Sequence, residues 1–422
     1  MSAIAQAIRR PHGLWRHADF MRLWAGQTIS VFGDQVTMLA LPLTGVLVLD
    51  ASAAEMGVLT AAGWLPHLVL SLGAGVWIDR REGRRDLMIG ADVTRALVVA
   101  TVPLAYVLDA LTMGQLYAVA LAVGALTVVF DLAYSSYFVV VVPRASLVDA
   151  QSKLMTTRSA SYVAGPSLGG VLVQVLTAPV ALLADAVSFL ASAAFLSRLQ
   201  TLEPAPDASA PEPLRTRLAG GARFLLAHPV LRAGLATATT LNFFNFVFHA
   251  VVLLFLANEL GLSAGLIGAV FSAGAVGALV GAVIAARVGR RIGYGPTVVL
   301  ASVVFPAPLV LFAFAGGPQP LVIALLFAGE FLSSVGVMLF DVNSNSIQAL
   351  LTPHRVRARA VGFHRTINYG VRPVGALVGG LLGELIGLRL TVFVGAAGAI
   401  LAVFFAFFSP LRTLRELPEE AD

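Results

Sequence analysis

Cysteine is absent from this 422-residue sequence, and charged residues are scarce. Without cysteine the chain can form neither disulfide bonds nor thiolate metal sites. Asp, Glu, Lys and Arg together make up 12% of the residues, about half the share of a typical soluble domain. Such a composition cannot cover the surface of a water-soluble protein of this length, and the 58% of hydrophobic residues exclude a disordered chain. A soluble enzyme is therefore excluded.

The sequence also lacks two common catalytic and metal-binding motifs. It contains no GxxxxGK[ST] phosphate-binding loop, so the chain itself cannot hydrolyse ATP. HExxH is missing, and no second ligand stands at metal-binding spacing from His249 or His364. We therefore expect no enzymatic activity, no bound metal and no cofactor.

Twelve apolar stretches are long enough to cross a bilayer, which requires about 20 residues per helix. The first is too long and too late in the chain for a cleaved signal peptide. The predicted fold is an all-α integral membrane protein with twelve transmembrane helices. The stretches are residues 20–48, 55–78, 86–108, 115–141, 156–177, 180–198, 230–257, 263–286, 295–315, 319–342, 361–386 and 388–409.

Basic residues mark one face of this arrangement. Of the 28 Lys and Arg residues, all but three flank the spans on the side of the chain termini. Arg389 lies on the opposite side, and Arg95 and Arg372 lie within spans. By the positive-inside rule, both termini are predicted to be cytoplasmic in a multi-pass inner-membrane protein. The net charge of +5 then reports topology, and no nucleic-acid partner is expected.

A polar stretch rich in Pro, Ala and acidic residues divides the spans into six and six. It covers residues 203–213 and is typical of a linker. Residues 214–227 alternate Arg with Leu and Phe, which predicts an amphipathic helix on the inner membrane surface. The predicted units are an N-terminal six-helix bundle (1–199), a cytoplasmic linker (200–228) and a C-terminal six-helix bundle (229–422).

The two halves share spaced motifs. Asp131 precedes Pro143 by twelve residues, and Asp341 precedes Pro353 by the same interval. The triplet Arg158, Tyr162 and Pro166 recurs with identical spacing as Arg365, Tyr369 and Pro373. Parallel six-span repeats are typical of transporters whose substrate site lies between the halves near the membrane midplane.

Three segments carry a resemblance to a known family. Gly73 and the run from Gly75 to Arg85 resemble the loop signature of the major facilitator superfamily between spans two and three. Gly165-Pro166-Ser167-Leu168-Gly169-Gly170 resembles the end of the motif that marks drug/proton antiporters. Leu23-Trp24, Ser30 and Gly33-Asp34 are similar to the branch that includes enterobactin and macrolide efflux proteins. The resemblance implies two pseudo-symmetric bundles and proton-coupled export of a drug, siderophore or other secondary metabolite.

The same resemblance implies a gate at the inner face. In the family, the loop aspartate, here Asp79, docks on span eleven, and a loop arginine pairs with an acid on span four. Arg84 and Asp131 fit that pair, and Arg80 belongs to the same basic loop at the anionic leaflet. On span five, Pro166 interrupts the helical hydrogen bonds and the small residues Gly165, Gly169 and Gly170 permit close packing. The alternatives are topological retention for the arginines and packing alone for the glycines.

Ionisable residues inside the spans are candidates for proton coupling, because an unpaired charge at the midplane is costly. Asp34 lies near the middle of span one and Glu330 lies well inside span ten. Burial favours the neutral form of a carboxylate, so either could exchange protons near neutral pH. The alternatives are a structural hydrogen bond for Asp34 and an ion pair with Arg372 for Glu330. Asp92 and Arg95 are spaced to form a structural pair.

Span seven carries a polar stripe predicted to face a central cavity. Asn242, Asn245 and His249 share one helical face, and the neighbouring phenylalanines suit a large, partly apolar solute. Hydrogen bonding between helices is the alternative role. The predicted substrate-binding residues are Asp34, Gln35, Asn242, Asn245, Phe246, His249, Glu330, Tyr369 and Arg372.

The predicted function is secondary active transport by alternating access. The partners would be a small-molecule substrate, protons and membrane lipid, and the protein would act as a monomer. An uptake permease of the same fold is the nearest alternative, followed by a non-transporting membrane receptor. A permease differs from an exporter in the direction of transport, and a receptor transports nothing; fold alone does not distinguish them.

Overall fold

The structure is a computed structural model that describes residues 14–79, 83–201, 203 and 214–416. The described part is helical, without β-strands. The N-terminal half consists of α1 (Ala18–Val48), α2 (Ala53–Asp79), α3 (Arg84–Val107), α4 (Met113–Val141), α5 (Leu147–Leu176) and α6 (Ala178–Ser197). After α7 (Leu214–Ala227), the C-terminal half consists of α8 (Pro229–Leu254), α9 (Ala264–Ile292), α10 (Tyr294–Val304), α11 (Val310–Ala313), α12 (Gln319–Leu351), α13 (His354–Ile386), α14 (Leu388–Ile400) and α15 (Ala402–Phe407).

Twelve helical segments cross the molecule, which confirms the predicted membrane fold. Eleven of them, among the described residues, are apolar and long enough to span a bilayer. In that count α10 with α11 forms one span, and α14 with α15 forms another. The twelfth is α13, which is as long as α12 at 33 residues but carries five arginines and is therefore less apolar.

Several helices differ from the predicted spans at their ends. Helix α5 begins at Leu147, nine residues before the predicted start at 156, and α12 runs to Leu351 rather than 342. These extensions are polar turns that continue the helix beyond the apolar core, so hydropathy alone missed them. The ninth span is interrupted between α10 and α11 by a 3₁₀ turn at Ala307–Leu309, because Pro306 and Pro308 cannot donate the backbone hydrogen bonds of an α-helix.

Helix ends fall on two faces, which we name by their charge. The basic face contains the ends near residues 14–18, 141–147, 197–203, 292–294, 351–354 and 410–416. The opposite face contains the ends near 48–53, 107–113, 176–178, 259–264, 313–319 and 386–388. Helix α7 lies at the basic face, where it packs on α13 and α8 and Gly221 contacts the carbonyl of Arg359.

The two halves repeat the same packing. In the N-terminal half α1 packs between α5 and α6, and in the C-terminal half α8 packs between α13 and α14. Glycines permit these close approaches. A Cβ at Gly165 of α5 would lie 2.5 Å from Gln35 Cβ on α1, and one at Gly375 of α13 would overlap the carbonyl of Phe243 on α8.

Contacts between the halves close the opposite face. They run between α2 and α13 and between α5 and α9. A Cβ at Gly57 of α2 would lie 2.8 Å from Gly380 Cα on α13, and one at Gly268 of α9 would overlap the carbonyl of Pro166 on α5. Hydrogen bonds also join the halves toward this face: Ser167 with Ser272, Gln174 with the Gly265 amide, and Glu384 with the Ala54 amide.

The gap between the halves opens at the basic face. Asp131 and Tyr162 on one side and Asp341 and Arg365 on the other are exposed, although they lie well within their helices. Charged groups do not face lipid at that depth, so the three charged side chains line an opening between the halves. The structure is therefore closed at the opposite face and open at the basic face.

Gly268→Val is expected to destabilise the closed opposite face. The valine side chain would meet the Pro166 carbonyl and push α9 away from α5. Because the chain contains no cysteine, Ser272→Cys supplies a unique thiol at this contact. Its labelling by a membrane-impermeant maleimide added at the opposite face should rise severalfold in the valine variant. Gly90→Val is the control, because a Cβ there meets nothing; equal labelling in both variants would contradict the interlock.

Candidate substrate cavity

Three neighbouring cavities lie between the halves and within the C-terminal half. The inner cavity, of about 490 Å³, lies toward the basic face and is lined by residues that include Asn242, Asp341, Gln348, Arg357, His364, Arg365, Asn368, Tyr369 and Arg372. The middle cavity, of about 320 Å³, is lined by residues that include Asn242, Asn245, Phe246, His249, Glu330, Ser334, Asp341 and Arg372. The apolar cavity, of about 490 Å³, is lined by residues that include Met38, Leu41, Met56, Leu59, Trp64, His67, Phe246 and His249.

The middle cavity brings together six of the nine predicted substrate-binding residues. Helix α8 supplies the polar stripe, α12 supplies Glu330, and α13 supplies Arg372. Tyr369 lies one turn away on the wall of the inner cavity. Residues separated by up to 130 positions therefore meet because α8, α12 and α13 converge on one side of the opening.

A chain of polar side chains continues from the stripe toward the basic face. Asn242 donates a hydrogen bond to Asn368 Oδ1 over 3.1 Å, and the Asn368 amide lies 3.2 Å from His364 Nε2. Asn242 thus both bonds a neighbouring helix and lines the cavity. The polar wall is built by the C-terminal half, from α8, α12 and α13.

Arg372 lies in a box of aromatic rings. Its guanidinium carbon is 4.2 Å from the centroid of Trp64, 4.7 Å from that of Tyr369 and 5.3 Å from that of Phe246. Trp64 belongs to α2 of the N-terminal half, so the box spans the boundary between the halves. The rings face the guanidinium, an arrangement favourable to a cation.

Glu330 packs closely against α9 at Gly274. A Cβ at Gly274 would lie 2.7 Å from Glu330 Cγ and 2.9 Å from Ser334 Oγ. No ion pair joins Glu330 to Arg372, although both line the middle cavity; the acid whose charge acts on Arg372 is Asp341. The pairing allowed by the sequence is thus not formed in this conformation.

Asp34 lies apart from that cavity, in a cluster of charges inside the N-terminal half. The charges that act on it belong to Asp185, Arg95, Asp131 and Asp92. Asp185 in turn accepts hydrogen bonds from Thr37 at 2.5 Å and Ser188 at 2.8 Å. Asp34 is half-buried and lines none of the three cavities.

Gln35 also lies away from the cavities. Its side chain is 5% exposed and packs on Gly165 at the contact of α1 with α5. The predicted substrate-binding residues of the C-terminal half therefore converge on one site. The two predicted residues of α1, Asp34 and Gln35, lie elsewhere.

Arg95 and Asp92 form the predicted ion pair, fully enclosed by protein. Arg95 also donates to Thr127 Oγ1 over 3.3 Å and lies between the rings of Phe130 and Phe189, at 4.7 and 4.2 Å. The pair joins α3, α4 and α6, which indicates a structural role.

The predicted gating residues fall partly outside the described residues. Arg80 and the side chain of Asp79 are among those not described. The amides of Arg84 and Arg85, at the first turn of α3, donate to the carboxylate of Glu203 over 2.9 and 2.8 Å, which suits the positive end of a helix. The cations that act on Asp131 are Arg158, Arg95 and Arg365.

The span-five motif packs against helices of both halves. Gly165 and Gly169 lie against α1, whereas Gly170 lies against the first turn of α9 and Pro166 presents its carbonyl to Gly268. Residues 165–169 also match the GxSxG spacing of serine hydrolases. Here that run lies within a helix, and Ser167 binds Ser272 rather than a base.

Three site residues were missed by the sequence analysis. Trp64 and His67 of α2 lie beside Tyr369, and their signal is a Trp and a His one turn apart within an apolar span. The repeat of the two halves makes Asp341 the counterpart of Asp131 on span four. That equivalence is the signal that Asp341 faces the same opening.

Comparisons with known proteins agree with this architecture. The model of the transmembrane secretion effector family matches residues 11–421. The multidrug efflux pump Tap of Mycolicibacterium fortuitum is 28% identical over 397 residues, which cover 91% of this chain and 93% of Tap. The MFS-type transporter YfiS of Bacillus subtilis is 27% identical over 384 residues, with 89% of each chain covered.

A solved structure shares the fold. The chain superimposes on a bacterial homologue of the iron transporter ferroportin in its inward-facing state with a TM-score of 0.75 at 17% identity, covering 92% of this chain and 98% of that one. The TM-score to an outward-facing structure of the same kind of homologue is 0.55. The arrangement of the helices is thus closer to that of the inward-facing structure.

Proposed function

Because the chain belongs to the transmembrane secretion effector family of major facilitator transporters, we propose that it exports an amphipathic organic compound driven by inward proton flow. Membership of this family makes the protein a multi-pass membrane transporter. We propose the substrate class, the direction of transport and the proton coupling from the features of the cavity and the spans.

One observation carries the substrate class: the two walls of the opening differ in polarity. The C-terminal half presents amides, His249, Glu330 and Arg372 in the middle cavity. The adjoining apolar cavity presents methionine, leucine and tryptophan side chains, mostly from α1 and α2. Phe246 and His249 line both cavities. A solute with a polar head and an apolar body would fill both together.

The proposal places the basic face in the cytoplasm of a bacterial cell, in the inner membrane, with both termini inside. The structure would then be the inward-facing state, which loads substrate from the cytoplasm. Rocking of the halves would close the basic face and separate α5 from α9 at the opposite face. Asp79, Arg80, Arg84 and Asp131 would hold the closed basic face, while Gly165, Pro166, Gly169 and Gly170 govern packing at the other end.

Asp34 and Glu330 would carry the protons. Each lies deep within a span, and neither forms an ion pair or a hydrogen bond with another described residue. An unpaired carboxylate is charged at low cost only when water reaches it. Alternating exposure to the two sides therefore lets each acid bind a proton from one side and release it to the other. Both walls and both acids come from one chain, so a monomer suffices.

Dye accumulation in energised everted membrane vesicles tests this function. With an imposed pH gradient, vesicles with the wild-type protein should accumulate an amphipathic dye, and Asp34→Asn should remove most of that accumulation. Asp149→Asn is the matched control, because Asp149 is an exposed partner of Lys153 at the basic face. Gradient-independent accumulation, or wild-type activity in Asp34→Asn, would contradict the coupling.

An uptake permease of the same fold is the second candidate. Its expected result is the reverse: labelled solute should enter intact cells with protons. The similarity to a protein named as an efflux pump favours export, and the vesicle orientation in the experiment above separates the two directions.

A further inference from the structure

We propose that Arg372 is the receptor for an acidic group, a carboxylate or a phosphate, on the exported amphiphile. This inference rests on the proposed function and names its substrate class. The aromatic box of Trp64, Phe246 and Tyr369 holds the guanidinium until that acid arrives.

The first support is that Arg372 lacks an acceptor. A guanidinium has five N–H donors. Those of Arg372 form no hydrogen bond or ion pair with any residue that the structure describes, and its Nε is enclosed. Two other arginines show the contrast. Arg95 is paired with Asp92, and Arg389 bonds Glu259 and the carbonyls of Ala313 and Ala315 at 2.7 to 2.9 Å.

The second support is that Arg372 faces space a ligand can occupy. It lines both the inner and the middle cavity. Stacking on ring faces leaves the in-plane N–H groups free, and these are the donors that bind a carboxylate or phosphate in a bidentate manner. The box therefore orients the guanidinium without consuming its donors.

The third support is the sign of the surrounding charge. The inner cavity carries Arg357, Arg365 and Arg372 against a single aspartate, Asp341. The titratable groups that face Arg372 are His67 of α2, His249 of α8, Glu330 and Asp341 of α12, and Arg365 and Tyr369 of α13. Glu330 lies on the side of the middle cavity, so the excess of cations that attracts an anion is on the inner-cavity side of Arg372.

The geometry also places the rest of the ligand. Phe246 is shared by the box, the middle cavity and the apolar cavity. An acid bound to Arg372 would therefore project its apolar body past Phe246 toward Met38, Leu41 and Met56. The substrate class is an amphiphile with an acidic head and an apolar body.

A matched dye pair tests this assignment. One dye is a xanthene with a free benzoate, and the other is its methyl ester, which has the same ring system without the acid. Trp64 serves as the reporter of binding in a variant with Trp15, Trp24 and Trp77 replaced by phenylalanine. We expect the purified protein to bind the acid about tenfold more tightly than the ester, and Arg372→Gln to remove that preference by weakening acid binding alone.

Two further variants keep the test decisive. Arg372→Lys retains the charge without the fork and should give an intermediate preference, whereas Arg144→Gln, at the exposed basic face, should bind both dyes as the parent does. Tighter binding of the ester, or an acid preference that survives Arg372→Gln, overturns the inference. If the ester alone is exported, the proposed function stands and the acid receptor fails; if vesicles accumulate neither dye, nor any other amphiphile, the proposed function itself fails.

Discussion

Arg95→Met is expected to leave little folded protein, at a cost of about 3–5 kcal/mol in the free energy of unfolding. Arg95 and Asp92 are fully buried and pair with each other. Removing the guanidinium leaves the Asp92 carboxyl group without its counter-ion and enclosed among α3, α4 and α6. The rings of Phe130 and Phe189 also lose the cation that they enclose. The measurement is the melting temperature of the detergent-solubilised protein, followed by fluorescence-detected gel filtration.

The double variant Asp92→Asn with Arg95→Met separates charge from packing. It buries no charge, so it should recover most of the yield and thermal stability that the single variant loses. An Arg95→Met protein as stable as the wild type would show that the ion pair contributes nothing to the free energy of unfolding. A double variant no better than the single one would assign the loss to the packing between Phe130 and Phe189 instead.

Glu330→Gln is expected to abolish proton-driven accumulation while leaving substrate binding in place. Glutamine has the shape of protonated glutamate, so the packing of the side chain against Gly274 is kept. The amide, however, cannot bind and release a proton as the carboxyl group does. Accumulation driven by a pH gradient should fall about tenfold or more, whereas exchange of labelled for unlabelled substrate at equal pH should persist. Transport assays in reconstituted liposomes, with and without the gradient, measure both quantities.

Glu416→Gln, at an exposed position beyond the last span, is the matched control and should transport like the wild type. Loss of both exchange and accumulation in Glu330→Gln would assign Glu330 to substrate binding rather than to coupling. Unchanged accumulation would remove it from the mechanism.

Periodic and compositional features predicted much of the molecule. Hydropathy located the spans, because a helix that crosses a bilayer must be apolar for its whole membrane path. The i, i+3, i+7 stripe on span seven predicted which face of α8 lines a cavity, and Asn242, Asn245 and His249 do line it. The spacing of Asp92 and Arg95 predicted their pairing, because that contact is local to one helix.

Contacts between distant helices could not be predicted in this way. Trp64 meets Arg372 only because α2 and α13 pack across the two halves, and neither sequence segment specifies the rotation of its helix about that contact. Asp34 and Glu330 have similar signals, an acid within an apolar span, yet one joins a charge cluster of the N-terminal half and the other a cavity wall. The neighbours that distinguish the two acids lie on other helices: Asp185 of α6 near Asp34, and Gly274 of α9 beside Glu330.

The most direct test of proton-coupled export is proton movement caused by the substrate itself. Purified protein is reconstituted into liposomes that contain a pH-sensitive dye, with no gradient of pH or potential at the start. An outward gradient of an exported amphiphile should then move protons in the direction opposite to the substrate. That signal should be absent in Glu330→Gln and present in Glu416→Gln. Substrate flux without any proton signal in the wild-type protein, or protons that move in the same direction as the substrate, would contradict the account.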